Sequence, residues 1–166
     1  GNAARARKNI PAALTYYEQV ETTPSSNTQL QARLNRLSLL LEEKQLSKAQ
    51  ELLPIIQNNL ANFPPSRTSV YARINLAQTL LKFGNESSIN APDIAQILVK
   101  AVQEAKRLQD LRAESFALGN LGTLYEKNQQ VIQAQDLTQQ GLLLAQQIKA
   151  VDISYRWQWQ LGRLLK

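Results

Sequence analysis

Four residues, Leu37, Ala77, Gly122 and Gly162, recur along the chain at intervals of 40, 45 and 40 residues, each inside a stretch of helical periodicity. This self-similarity constrains the fold more than any other feature, because a chain that repeats every few tens of residues stacks like units side by side. Two segments align well: "LQARLNRLSLLLEEKQLSKAQELLPII" (30–56) and "FALGNLGTLYEKNQQVIQAQDLTQQGL" (116–142). Each reads as a helix, a short polar break, and a second helix whose opening turn carries an alanine, Ala49 or Ala134. A third copy starts at "VYARINLAQTLLKF" (70–83), a fourth first helix at 154–166, and a lone second helix at 11–24. Apolar residues fall every three or four positions, as in Leu30, Leu34, Leu37 and Leu41 or Val70, Ile74, Ala77 and Leu81. That is the period of a helix with one buried face.

The spacing predicts eight helices in antiparallel pairs, at 9–22, 28–43, 46–61, 67–83, 92–109, 111–127, 130–149 and 152–165. Turn and cap residues mark the breaks at Pro24-Ser25-Ser26, at Pro64-Pro65-Ser66 and over 84–92. The expected layout is one repeat domain over 1–166. A second helix of a preceding repeat (9–24) is followed by repeats at 28–63, 67–109 and 111–149, then a first helix at 152–166. An insertion at 84–90 accounts for the long interval. The chain opens in mid-pattern without Met, so the expectation is a fragment of a longer protein. Only six Gly and six Pro in 166 residues suit an all-α chain.

Against that background the helix "ALGNLGTLYEK" (117–127) holds two glycines, each costing about 1 kcal/mol relative to alanine. Leu37, Ala77, Gly122 and Gly162 mark where a first helix approaches its second, with Ala49 and Ala134 as small residues opposite, so close backbone approach is their expected role. Gly119 falls outside that register. It is expected on the inner face, where a missing side chain leaves room for something else.

Composition removes whole classes of chemistry. The chain has no cysteine and no histidine. Disulfides, thiol chemistry, histidine metal sites and Ser-His or Cys-His nucleophiles go together, and no enzyme activity, catalytic residue, metal or cofactor is expected. No apolar run approaches the roughly 18–20 residues that span a membrane, and the start lacks a signal peptide's apolar stretch. A soluble protein is expected, the cytoplasm slightly favoured over a secreted or periplasmic setting. The net charge of +6 comes from basic residues interleaved with acids rather than clustered. A basic stripe that would take nucleic acid is therefore not expected, and such binding is the remotest alternative. Three weaker signals carry nothing: "GNLG" lies inside a helix, Asn85-Glu86-Ser87 is a chance-level glycosylation tripeptide, and Glu42-Glu43 is solvated charge.

Residues 115–148 resemble a tetratricopeptide repeat, with "LGNLGTLYEK" matching its first helix and Ala134 and Gly141 at the small positions of its second. "AALTYYEQVETTP" resembles the end of another repeat, including the terminal Pro24. The resemblance implies a right-handed α-α superhelix of about three and a half helix pairs. Two features depart from the pattern: Arg33 and Arg73 stand where a large apolar residue is usual, and the repeat is nearer 40 residues than 34. A narrower resemblance, through "LLPIIQNNLANFPPSRTSVYARINLAQTLLK" and "DISYRWQWQLGRLLK", is to the repeat region of large cyanobacterial proteins that carry a caspase-like CHAT domain. It implies a peptidase outside this chain, whose Cys-His dyad has no match here.

In a helical-pair solenoid the first helices line the concave surface on which extended peptides lie. One column across them reads Asn35, Asn75, Asn120 and Gln160, again at 40, 45 and 40. Side-chain amides both donate and accept, so two readings stand: a ladder gripping a peptide backbone, or a brace between neighbouring helices. Tyr71, Phe116 and Trp159 are candidate aromatic anchors, and Arg156 and Arg163 candidate partners for carboxylates. The expected function is a protein- or peptide-binding scaffold that recruits a partner or regulates an attached effector domain, its own C-terminal domain included. The alternative is a structural spacer or regulatory arm with only intramolecular contacts.

Overall fold

The computed structural model describes residues 1–22, 26–83 and 90–165. These residues form nine helices and no strand: α1 Asn2–Ala6, α2 Ile10–Val20, α3 Ser26–Glu42, α4 Leu46–Asn62, α5 Arg67–Lys82, α6 Ala91–Arg107, α7 Leu111–Lys127, α8 Val131–Gln147 and α9 Val151–Leu164. Eight match the expected helices within three residues at either end, and α1 is additional. The turn expected at Pro24-Ser25 and most of the 84–90 insertion, with its glycosylation tripeptide, lie outside the described residues. Local chemistry sets several starts. The side chains of Asn9, Asn90 and Asp110 accept hydrogen bonds from the amides of Ala12, Asp93 and Ala113, with Pro11 and Pro92 in the first turns of α2 and α6.

Among the described residues one turn is used five times. Lys8, Lys44, Gln109, Gln129 and Lys149 take φ between 54° and 60°, in the left-handed region. In each case the next amide donates back to a carbonyl five residues earlier. The bonds run from Asn9 to Ala4 (2.9 Å), Gln45 to Leu40 (2.8 Å), Asp110 to Ala105 (3.0 Å), Gln130 to Tyr125 (2.9 Å) and Ala150 to Ala145 (2.8 Å). This is the six-to-one bond of a Schellman cap. The residue after the left-handed one is already the N-cap of the following helix, so each of these helix pairs reverses over the same few residues.

The chain divides into two compact units. In the first, Gly1–Phe63 with Phe83, α2 packs on α1 and α3, and α3 packs on α4. Its core holds Ala13, Tyr17 and Leu39, the α3 leucines Leu30, Leu34, Leu37 and Leu41, and Leu52, Ile56 and Leu60 of α4. The second, Pro64–Lys82 with 90–165, packs each helix from α5 to α9 on the next, and α7 also touches α5 and α9. Val70, Ile74, Ala101, Ala105, Ala113 and Ala117 form one buried cluster, and Leu142, Ala145, Ala150, Ile153 and Trp157 another. No described helix is long and apolar enough to cross a membrane.

The two arginines at apolar positions are accommodated by polar partners. Arg73 of α5 is 5 % exposed and pairs at 3.0 Å with Glu104 of α6, itself 5 % exposed; Glu104 also accepts from Ser69 at 2.9 Å. Arg33 of α3 bonds to Asn59 of α4 and lies 3.4 Å from Glu21. Arg33 and Arg73 stand 40 residues apart, and Asn59 and Glu104 stand 45 apart, the repeat intervals of first and second helices. The equivalents on α7 and α8 are Leu118 and Leu144. A polar tie, buried in one pair and partly buried in the other, thus occupies a place that leucines fill in the third.

Candidate recognition face

Residues at i, i+4 and i+8 share one helix face, and three such triples line α5, α7 and α9: Arg67-Tyr71-Asn75, Arg112-Phe116-Asn120 and Asp152-Arg156-Gln160. The first two rows interlock through rings and cations. Tyr71 meets Phe116 edge-on with ring centres 6.4 Å apart, and Phe116 meets Trp157 at 6.1 Å. Arg67 lies over Tyr71 at 5.7 Å, and Arg112 over Phe116 at 5.9 Å. Arg156 stands 6.0 Å from the Phe116 ring and 5.1 Å from Trp157, all within cation–π reach. Arg112 also holds Asp152 at 2.6 Å. Its hydrogen bond keeps that carboxyl below the ordinary carboxylate range, so the pair persists above the usual titration and is lost as pH falls through the lowered value. Arg156 has no such partner among the described residues, and desolvation by burial lowers its pKa from the ordinary guanidinium value.

The third row is the amide column, and its members differ. Asn120 (2 % exposed) accepts from Gln78 of α5 at 3.1 Å and donates to the Phe116 carbonyl at 2.7 Å. Gln160 (3 % exposed) accepts from Thr123 of α7 at 3.1 Å and donates to the Gly119 carbonyl at 3.4 Å. The same joint therefore links α5 to α7 and α7 to α9. In the other unit Asn35 is partly exposed, accepting from Gln31 and reaching Asn2. Asn75 is exposed. Inward-turned amides at Asn120 and Gln160 are engaged with the protein itself, so the column offers no continuous ladder to a peptide within this unit.

The glycines separate in the same way. A Cβ on Gly122 would overlap the Thr138 hydroxyl and come within 3.1 Å of the Ala134 carbonyl, which places this residue where α7 meets α8. A Cβ on Gly119 would overlap the Trp157 indole. The room expected for something else is filled by that ring, whose indole N–H donates to Ser115 at 3.1 Å. Gly162 has nothing within 4 Å of an added Cβ, so it makes no close approach here, unlike its counterparts. Leu37 and Ala77, and the opposing Ala49 and Ala134, are buried.

Around Gly162 the face of α9 is open. Tyr155 and Trp159 are each 70 % exposed, whereas their repeat equivalents are buried: Val70 and Ile74 on α5, Ser115 and Gly119 on α7. Arg163 is held by Glu126 of α7 at 2.9 Å. Trp157, which the sequence pattern places with Leu161 and Leu164 in an exposed apolar patch at the end of the last helix, is fully buried instead, and sequence reasoning gave no site role to Arg67, Arg112 or the amide partners Gln78 and Thr123. The 45-residue interval from Gln78 to Thr123, each three positions after a column amide, was the available signal for the last two. No protein-family model matches the sequence, and no curated protein is significantly similar to it.

Proposed function

We propose that the chain is a protein-binding scaffold of the tetratricopeptide type, in which α5, α7 and α9 present the recognition face of a right-handed helical superhelix. It would recruit a partner or regulate an attached effector domain, as the resemblance to the repeat regions of CHAT proteins suggests. One observation carries this reading: Tyr71, Phe116 and Arg156, at one repeat position of α5, α7 and α9, stand together with Arg67 and Arg112 as a face of rings and cations. Aromatic and arginine side chains gathered on one face are the types that carry interface energy. Binding of the chain to an array of short extended peptides, measured by calorimetry, tests it. An Arg67→Ala, Arg156→Ala variant, which removes two exposed cations of that face, should bind its hits at least about tenfold more weakly, with an unchanged melting temperature.

The spacer reading has its own support in the inward amides. Asn120→Ala strands the Gln78 amide and should lower stability by about 1–2 kcal/mol, while Asn75→Ala stays within about 0.5 kcal/mol of the parent in denaturant titrations. If the folded chain captures no peptide, the spacer reading takes over and the amides are bracing alone.

A further inference from the structure

Three carboxylates pair with the solvent-facing arginines of α5, α7 and α9, and each is already taken. Asp110 holds Arg67 at 3.0 Å, Asp152 holds Arg112 at 2.6 Å, and Glu126 holds Arg163 at 2.9 Å. Arg156 is the arginine of these helices' exposed face left over. The carboxylate best placed on its own helix is Asp152, one turn earlier, an i,i+4 arrangement that ordinarily pairs. Here Asp152 is drawn to Arg112 instead.

Arg156 therefore combines three properties. It has no carboxylate partner among the described residues, burial partly desolvates it, and it stands 6.0 Å from the Phe116 ring centre and 5.1 Å from that of Trp157. A guanidinium lying against two rings keeps its fork free to take a carboxylate bidentately. Phosphate would satisfy the fork too, but the surrounding surface is not a basic stripe, since its other arginines are neutralised by their own acids. The surface chemistry matches a partner with few, spaced negative charges.

We infer that the ligand of this face is an extended peptide bearing an aspartate or glutamate, whose carboxylate docks on Arg156 above the Phe116–Trp157 pair. The inference rests on the scaffold reading and names the partner's chemistry.

The test uses matched peptide pairs that differ only in Asp against Asn or Glu against Gln, titrated calorimetrically into the whole chain at moderate salt. The acidic member should bind about tenfold more tightly. Arg156→Gln should bring the pair close to parity, whereas Lys100→Gln, removing an exposed charge on α6, should leave the preference intact. Arg156→Lys, which keeps the charge but lacks the planar fork, should retain only part of it and serves if the glutamine variant melts early. Equal binding of both members overturns the acidic specificity and leaves the scaffold standing. A preference that survives Arg156→Gln overturns the assignment to Arg156, and an oligonucleotide binding more tightly than the acidic peptides replaces it with polyanion recognition. Absence of binding by every peptide removes both proposals.

Discussion

A β-carbon at Gly119 would overlap the indole of Trp157, and this local crowding makes a sharp test. Gly119→Ala gains about 1 kcal/mol of helix propensity but overpacks a buried ring, so a net loss of about 1–3 kcal/mol is expected in urea titrations. Combining it with Trp157→Leu should cost clearly less than the sum of the two single changes, because removing the ring makes the space the methyl needs. This contact also shows where reading residues one at a time stopped. The recurring small residue at Ala77 and Gly122 was visible through its interval, but the reason for Gly119 lies on α9, where Trp157 replaces the alanines at its repeat equivalents, Ala72 and Ala117. A substitution in one repeat that is absorbed by a glycine in another leaves no periodic trace. The amide column was equally visible as a column, yet the exposure of its members is decided by neighbours on adjacent helices.

Between elements, the buried Arg73–Glu104 pair ties α5 to α6 at the place where Leu118 and Leu144 stand in the next helix pair. Arg73→Ala leaves a carboxylate buried without its cation and should destabilise by about 3–5 kcal/mol. The double change Arg73→Leu, Glu104→Leu copies the apolar solution already present in the chain and should recover most of that loss in the same thermal melts. Helix positions were legible because apolar spacing and cap residues report them directly. The turns were less so. Five connections among the described residues use the left-handed conformation, but lysine or glutamine occupies it instead of the glycine that would announce it. Repetition of one backbone geometry, rather than residue type, identifies the turn. The short α1 has too few residues to show a period of its own.

For the molecule as a whole, the repeat spacing runs straight across the division into two compact units, since it reports similarity of sequence and not the density of packing. The second unit holds its own buried clusters and its own ion pairs. Residues 64–165 expressed alone should therefore remain helical and melt cooperatively, as followed by circular dichroism; a gradual, featureless melt would show that this unit depends on the rest. The same unit contains both tryptophans of the chain, two residues apart on α9 and on different sides of it: Trp157 is fully buried, and Trp159 is 70 % exposed. They divide the intrinsic emission into two independent reporters. Acrylamide will quench the solvent-facing, red-shifted component and spare the blue-shifted one, whose ring lies under Arg156. An anion arriving at that guanidinium changes the electric field on the shielded indole, so this helix carries an optical gauge of its own occupancy without any added dye.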